Sequence, residues 1–75
     1  MENPIILLAE KVQQKFKGSI LTRVIGIEGA DHIPTITVEI ELPNGKIYTA
    51  SGNNQKLAKQ KASELALFEL FSLAD

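Results

Sequence analysis

The run from Thr35 to Leu42, TITVEIEL, followed at once by Pro43-Asn44-Gly45, constrains this chain more than any other stretch. Ile36, Val38, Ile40 and Leu42 alternate with Thr35, Thr37, Glu39 and Glu41. Successive side chains of a strand point to opposite faces, so this segment belongs in a sheet with one dry and one wet face. Asn-Gly is the strongest short reversal signal, and the strand it predicts, about Lys46 to Ala50, returns antiparallel to the first. A further strand, Ile20 to Ile27, precedes them: Ile20, Val24, Ile25 and Ile27 are β-branched, and Gly29 closes the segment. Such a meander has one apolar face that something else must cover.

The flanking segments have a helical period. Asn3-Pro4 is a helix start, with Asn at the cap and Pro at the first helical position. Ile5, Leu8, Val12 and Phe16 then form one stripe. Gly18-Ser19 ends the helix, with Lys15 and Lys17 in its last turn. After Gly52-Asn53-Asn54 the period becomes helical again, with Ala58, Ala62, Leu65, Ala66 and Leu70 on one face. Small residues there let the helix approach the sheet closely. Phe68 and Phe71 project away from this stripe and are expected to fold back over the helix end and complete the core. The predicted fold is α+β, ordered α-β-β-β-α: a three-stranded antiparallel sheet with two helices packed on one face. It forms one domain over residues 1–75, with its core at about 4–71.

Composition narrows the class. The 75 residues contain no cysteine, which excludes disulfide frameworks and thiolate metal sites and favours a reducing, cytoplasmic setting. The longest apolar run, Ile5 to Ala9, is too short to cross a bilayer, so no membrane partner is expected. Hydrophobic residues make up 44% of the chain, enough for a core, and it is aliphatic because Trp is absent. Asp31-His32 is the nearest approach to an acid–base pair, but no nucleophile or third group accompanies it. One His makes neither a triad nor a metal site, so the chain is read as non-enzymatic and free of cofactors and metal.

One feature resists a purely structural reading. The formal net charge is −1, yet Lys56, Lys59 and Lys61 crowd the start of the last helix, with no acid before Glu64. Unpaired N–H groups and the positive end of the helix dipole also face outward there, so cations at this end oppose helix stability by a few tenths of a kcal/mol. The same place suits a polyanion.

These features together resemble the double-stranded RNA-binding domain family. The resemblance rests on a first helix carrying Leu8-x-Glu10-x-x-Gln13, a Gly29-x-Asp31-His32 loop, the alternating strand, the Asn-Gly hairpin, and a last helix opening Lys56-x-Ala58-Lys59-x-x-Ala62. It runs from about Pro4 to Leu70. The resemblance implies three contact regions. Glu10 and Gln13, opposite the buried stripe of the first helix, would meet 2′-hydroxyls in one minor groove. The His32 loop would reach the next. Lys56 and Lys59 would hold the phosphates between, with Asn54 at the helix cap and Lys61 beside them. Family members span about 16 base pairs and read A-form shape rather than sequence.

This chain departs from the family pattern in three ways that lower the expected affinity. Gln55 stands where the basic run has its first lysine, Ile6 replaces a polar group, and the net charge is acidic. Binding to double-stranded RNA is therefore expected at about micromolar strength or weaker, and readily reversed by salt. Ala30 also replaces the family's usual loop proline. The rival reading is a member that has lost RNA binding and serves as a protein-interaction or dimerisation module. Leu57, Phe68 and Phe71 would then form its apolar patch, because the polar sheet face of Thr35, Thr37, Glu39 and Glu41 makes a poor dimer surface.

Overall fold

The structure is a computed structural model that describes residues 3–30 and 33–71. Its elements are α1 (Pro4–Phe16), β1 (Leu21–Ala30), β2 (Ile33–Glu41), β3 (Ile47–Gly52) and α2 (Gln55–Phe71). The sheet is antiparallel in the order β1-β2-β3. This is the expected α-β-β-β-α arrangement.

Local chemistry accounts for the element ends. Asn3 caps α1, its side chain accepting the Ile5 N–H at 2.8 Å, and Pro4 opens the helix where no amide donor is needed. Lys17, not Gly18, takes the left-handed conformation that stops α1, with φ at 58°. Gly18 is used instead for a close approach, since a Cβ there would lie 2.8 Å from Cγ of Pro43. The β2–β3 turn is set by its own residues. Gly45 N–H donates to the Leu42 carbonyl, Leu42 N–H donates to Lys46, and the Asn44 side chain accepts from the Lys46 amide.

Register fixes the two faces. Val38 pairs with Val24 and Ala50, and Ile40 with Thr22 and Tyr48, all on the inner side. Val38, Ile40 and Leu42 are buried against Leu8, Val12, Ala58, Ala62, Ala66 and Leu67. On the outer side Arg23 is held between Glu39 and Glu41, both at 2.7 Å, and the Thr37 and Ser51 hydroxyls meet at 2.8 Å. The outer face is polar, as the alternation predicts.

Three expectations need correction. The first concerns α2. Its buried arc runs through Ala58, Ala62, Ser63, Ala66 and Leu67, and Leu65 is 51% exposed. The cause is that α2 touches α1 as well as the sheet, and this rotates the buried arc toward Ser63 and Leu67. The second is Phe68, which is 64% exposed and does not fold back into the core; the side chain of Phe71 lies outside the described part. The third is β1, which runs from Leu21 to Ala30 rather than from Ile20 to Ile27. An irregularity lies between Val24 and Gly26, where Ile25 is an extra residue without a partner on β2. The helices cover β2 and β3 but leave much of β1 open, because α1 packs on α2 instead of on β1.

Gly52 sets the seat of α2. It ends β3 directly under the first turn of the helix, and a Cβ at this position would lie 3.0 Å from the Ala58 nitrogen and 3.1 Å from Leu57. A side chain here would push the first turn of the helix back by a few tenths of an ångström, so the glycine lets the mouth sit this close to the strand end.

Candidate nucleic-acid interface

The mouth of α2 is built by Asn54. Its Oδ1 accepts the Leu57 N–H at 2.7 Å, and its carbonyl accepts from Ala58 at 3.1 Å. The cap satisfies two amides of the first turn and leaves other donors of that turn facing out, with the dipole behind them. Lys56 is exposed at this end. Lys59, one turn further on, is half-buried, since it falls between the buried Ala62 and Ser63 around the helix.

Lys59 leans toward α1. It lines a cleft of about 230 Å³ together with Gln13 and Ala9 of α1, Thr22 of β1 and Ser63 of α2. Ser63 is buried, and its hydroxyl is occupied in donating to the Lys59 carbonyl at 2.8 Å. Glu10 and Gln13 are both exposed and one turn apart on α1, on the face that also carries the 54%-exposed Ile6. The cleft thus joins the polar face of α1 to the cationic turn of α2. Gln13, whose amide both donates and accepts, and the cationic Lys59 are both among its lining residues. This arrangement suits hydroxyls and phosphates that alternate along a backbone.

Not every candidate residue gathers here. Lys61 lies on the other side of α2, where it borders a groove with Thr49, Glu64, Leu65 and Phe68. His32 and its neighbour Asp31 lie outside the described residues. Among the described residues, no group of three His, Asp or Glu side chains is placed to hold a metal ion, and no helix is long and apolar enough to cross a membrane. Sequence spacing did not foresee that Lys59 and Gln13 line one cleft, nor the part of Thr22 in it. Helical phase alone places Lys59 near the middle of the arc between Ala62 and Ser63, and that was the available signal.

The remaining titratable features tie the frame together. The guanidinium of Arg23 is raised above its ordinary pKa by hydrogen bonds to Glu41 and Glu39. Burial, and then the Glu69 carboxylate, push the Tyr48 hydroxyl above the usual tyrosine value; that hydroxyl donates to Glu69 at 3.3 Å. Lys46 approaches the same carboxylate at 3.9 Å. Tyr48 and Lys46 tie the start of β3 to the far end of α2, away from the mouth, while Arg23 ties β1 to β2.

Comparison with known proteins points to one family. Ribonuclease 3 of Ehrlichia chaffeensis is 41% identical over 64 residues, and Ribonuclease 3 of Ehrlichia canis is equally similar. Each match covers 85% of this chain and 28% of the relative, so the chain spans little more than a quarter of their length. Among solved structures, a chain of Arabidopsis HYL1, described for its implications for miRNA processing, superposes with a TM-score of 0.76 at 30% identity. That likeness covers 93% of this chain and 99% of the HYL1 chain. Residues 4–70 match the family described as the double-stranded RNA binding motif. The helix mouth, the cleft and the polar face of α1 all fall within that span, and the chain belongs to the double-stranded RNA binding motif family.

Proposed function

We propose that this domain grips double-stranded RNA without cleaving it, by shape and without reading sequence, at modest affinity. The observation that carries the reading is the shared cleft of Gln13 and Lys59, which links the exposed Glu10 face of α1 to the mouth of α2. In this reading Glu10 accepts from a ribose 2′-hydroxyl and Gln13 donates and accepts along the same groove. Lys56 and Lys59 hold the phosphates at the helix mouth, and His32 reaches a second groove. The role of Asn54 is to keep the mouth open and ordered. Lys61, across the helix, adds attraction at longer range.

A-form RNA presents 2′-hydroxyls in a wide, shallow minor groove, and DNA lacks them. A carboxylate at Glu10 is tolerated near phosphates because a hydroxyl donor meets it. The cationic turn supplies two or three phosphate contacts, and this small number keeps binding weak at moderate salt. In a longer protein like the Ribonuclease 3 relatives, the domain would hold the duplex while another part acts on it.

The decisive experiment titrates a duplex of about 20 base pairs, long enough for the family's span, as RNA and as DNA at low and moderate salt. RNA should bind more tightly than DNA of the same sequence, two unrelated RNA sequences should bind equally, and salt should weaken both. Equal affinity for RNA and DNA, or a strong preference between RNA sequences, would remove the proposed mode of recognition.

A further inference from the structure

Strand β1 is the edge of the sheet that the helices leave open. It spans Leu21–Ala30, and its main support comes from β2. Leu21, Val24, Ile25 and Ile27 are all exposed along it, Ile27 to 70%. The opposite edge differs: β3 is shorter and has α2 lying against it. A long apolar edge with unpaired N–H and C=O groups is a template for another strand.

The sequence of β1 selects which strand. Arg23 pairs with Glu39 and Glu28 with Thr35, so both lie on the wet side; Val24 pairs with Val38 and Ile27 with Ile36, on the dry side. In a regular strand Arg23 and Glu28 would point to opposite faces. The extra residue at Ile25 brings them to the same one. A bulge often turns an edge away from partners, but here it makes the strand symmetric about Gly26. Arg23 mirrors Glu28 in charge, and Val24 mirrors Ile27 in apolarity. Glu28 has no ion-pair partner among the described residues. Arg23 uses Nε and Nη2 for Glu39 and Glu41, leaving Nη1 for a further carboxylate.

We infer that two copies of this chain pair antiparallel along β1 about a twofold axis at Gly26. Arg23 then faces Glu28 of the second copy, and Val24 faces its Ile27, each pair occurring twice as an isologous interface requires. The two sheets become one continuous sheet, with the dry seam of Val24 and Ile27 on the helix side and the ion pairs on the wet side. Cross-strand pairs of these kinds are the units that stabilise antiparallel sheets.

Sedimentation equilibrium from micromolar to about millimolar protein tests this, a range that brackets weak association. The weight-average mass should rise from the 8.2 kDa of one chain toward twice that value. Glu28→Lys sets like charges against Arg23, and Ile27→Lys puts a charge in the dry seam. Each should weaken association by about tenfold or more. Both side chains are exposed in the single chain, so circular dichroism melts should remain close to the parent's. A mass that stays at one chain throughout, or variants that associate as tightly as the parent, would overturn the inference. So would association lost in Leu65→Asp or Phe68→Asp but kept in Glu28→Lys, which would move the contact to the α2–β3 side.

Discussion

Replacing Lys56 and Lys59 together by alanine separates phosphate attraction from helix stability, because the two act in opposite directions at the mouth of α2. Neither lysine is ion-paired among the described residues, so the change breaks no internal attraction. Exposed cations at a helix N-terminus cost about 0.3–1 kcal/mol at low salt, and their removal returns part of that. Lys59 is half-buried along the cleft, and losing its stem offsets the gain. The net change in stability should stay within about 0.5 kcal/mol, a shift of roughly 2–4 °C in Tm for a domain of this size. Binding should respond very differently. Each phosphate contact contributes about 0.9 to the slope of log affinity against log salt, so two contacts contribute about 1.8. Raising salt fourfold should then weaken the parent about twelvefold more than the double variant. Fluorescence anisotropy of a labelled RNA duplex over a salt series reads the slope, and thermal melts of the same samples read stability. An unchanged slope would show that these lysines touch no phosphate. A large fall in Tm would show that their purpose is structural.

Two further predictions concern the frame. Asn54→Ala removes the acceptor of the Leu57 amide and should lower stability by about 1 kcal/mol, whereas Asn54→Ser should keep most of it; melting curves and RNA affinity should fall in the same order. Tyr48 is held above the ordinary tyrosine pKa, first by burial and then by Glu69. The fold therefore favours the neutral phenol, and its contribution is intact below about pH 10, the unfolded value, and is lost as pH rises through the higher folded value. A series of melts on the alkaline side should show a steeper loss for the parent than for Tyr48→Phe.

The parts of the fold that the sequence made legible are those where one physical rule acts alone. The period of two from Ile36 to Leu42 meets no competing signal, and the Asn44-Gly45 reversal dictates the direction of β3. Asn3 and Asn54 each stand before a helical period and each accepts an amide of the first turn. The phase of α2 was less legible. Its alanines carry little hydrophobic weight, so Leu65 pulled the expected stripe to one side, whereas packing against α1 buried Leu67 instead. β1 was the least legible, because Gly29 looks like an end rather than an interior residue, and the extra residue at Ile25 breaks the alternation that would have carried the strand to Ala30. For the candidate interface, the residue types at the helix mouth and on α1 were readable from spacing. The lean of Lys59 toward Gln13 was not, since it depends on how two helices pack.

The bare backbone of Gly52 has a consequence for evolution as well as for packing. Because the cationic turn rests on the end of a strand, its height above the sheet is set by the bare backbone at Gly52 rather than by any charged residue. A methyl group at position 52 would press on Leu57 and the Ala58 nitrogen and shift the first turn of the helix by a few tenths of an ångström, while every lysine stayed in the sequence. If those lysines hold phosphates as proposed, duplex grip would respond to a change that a survey of basic side chains overlooks.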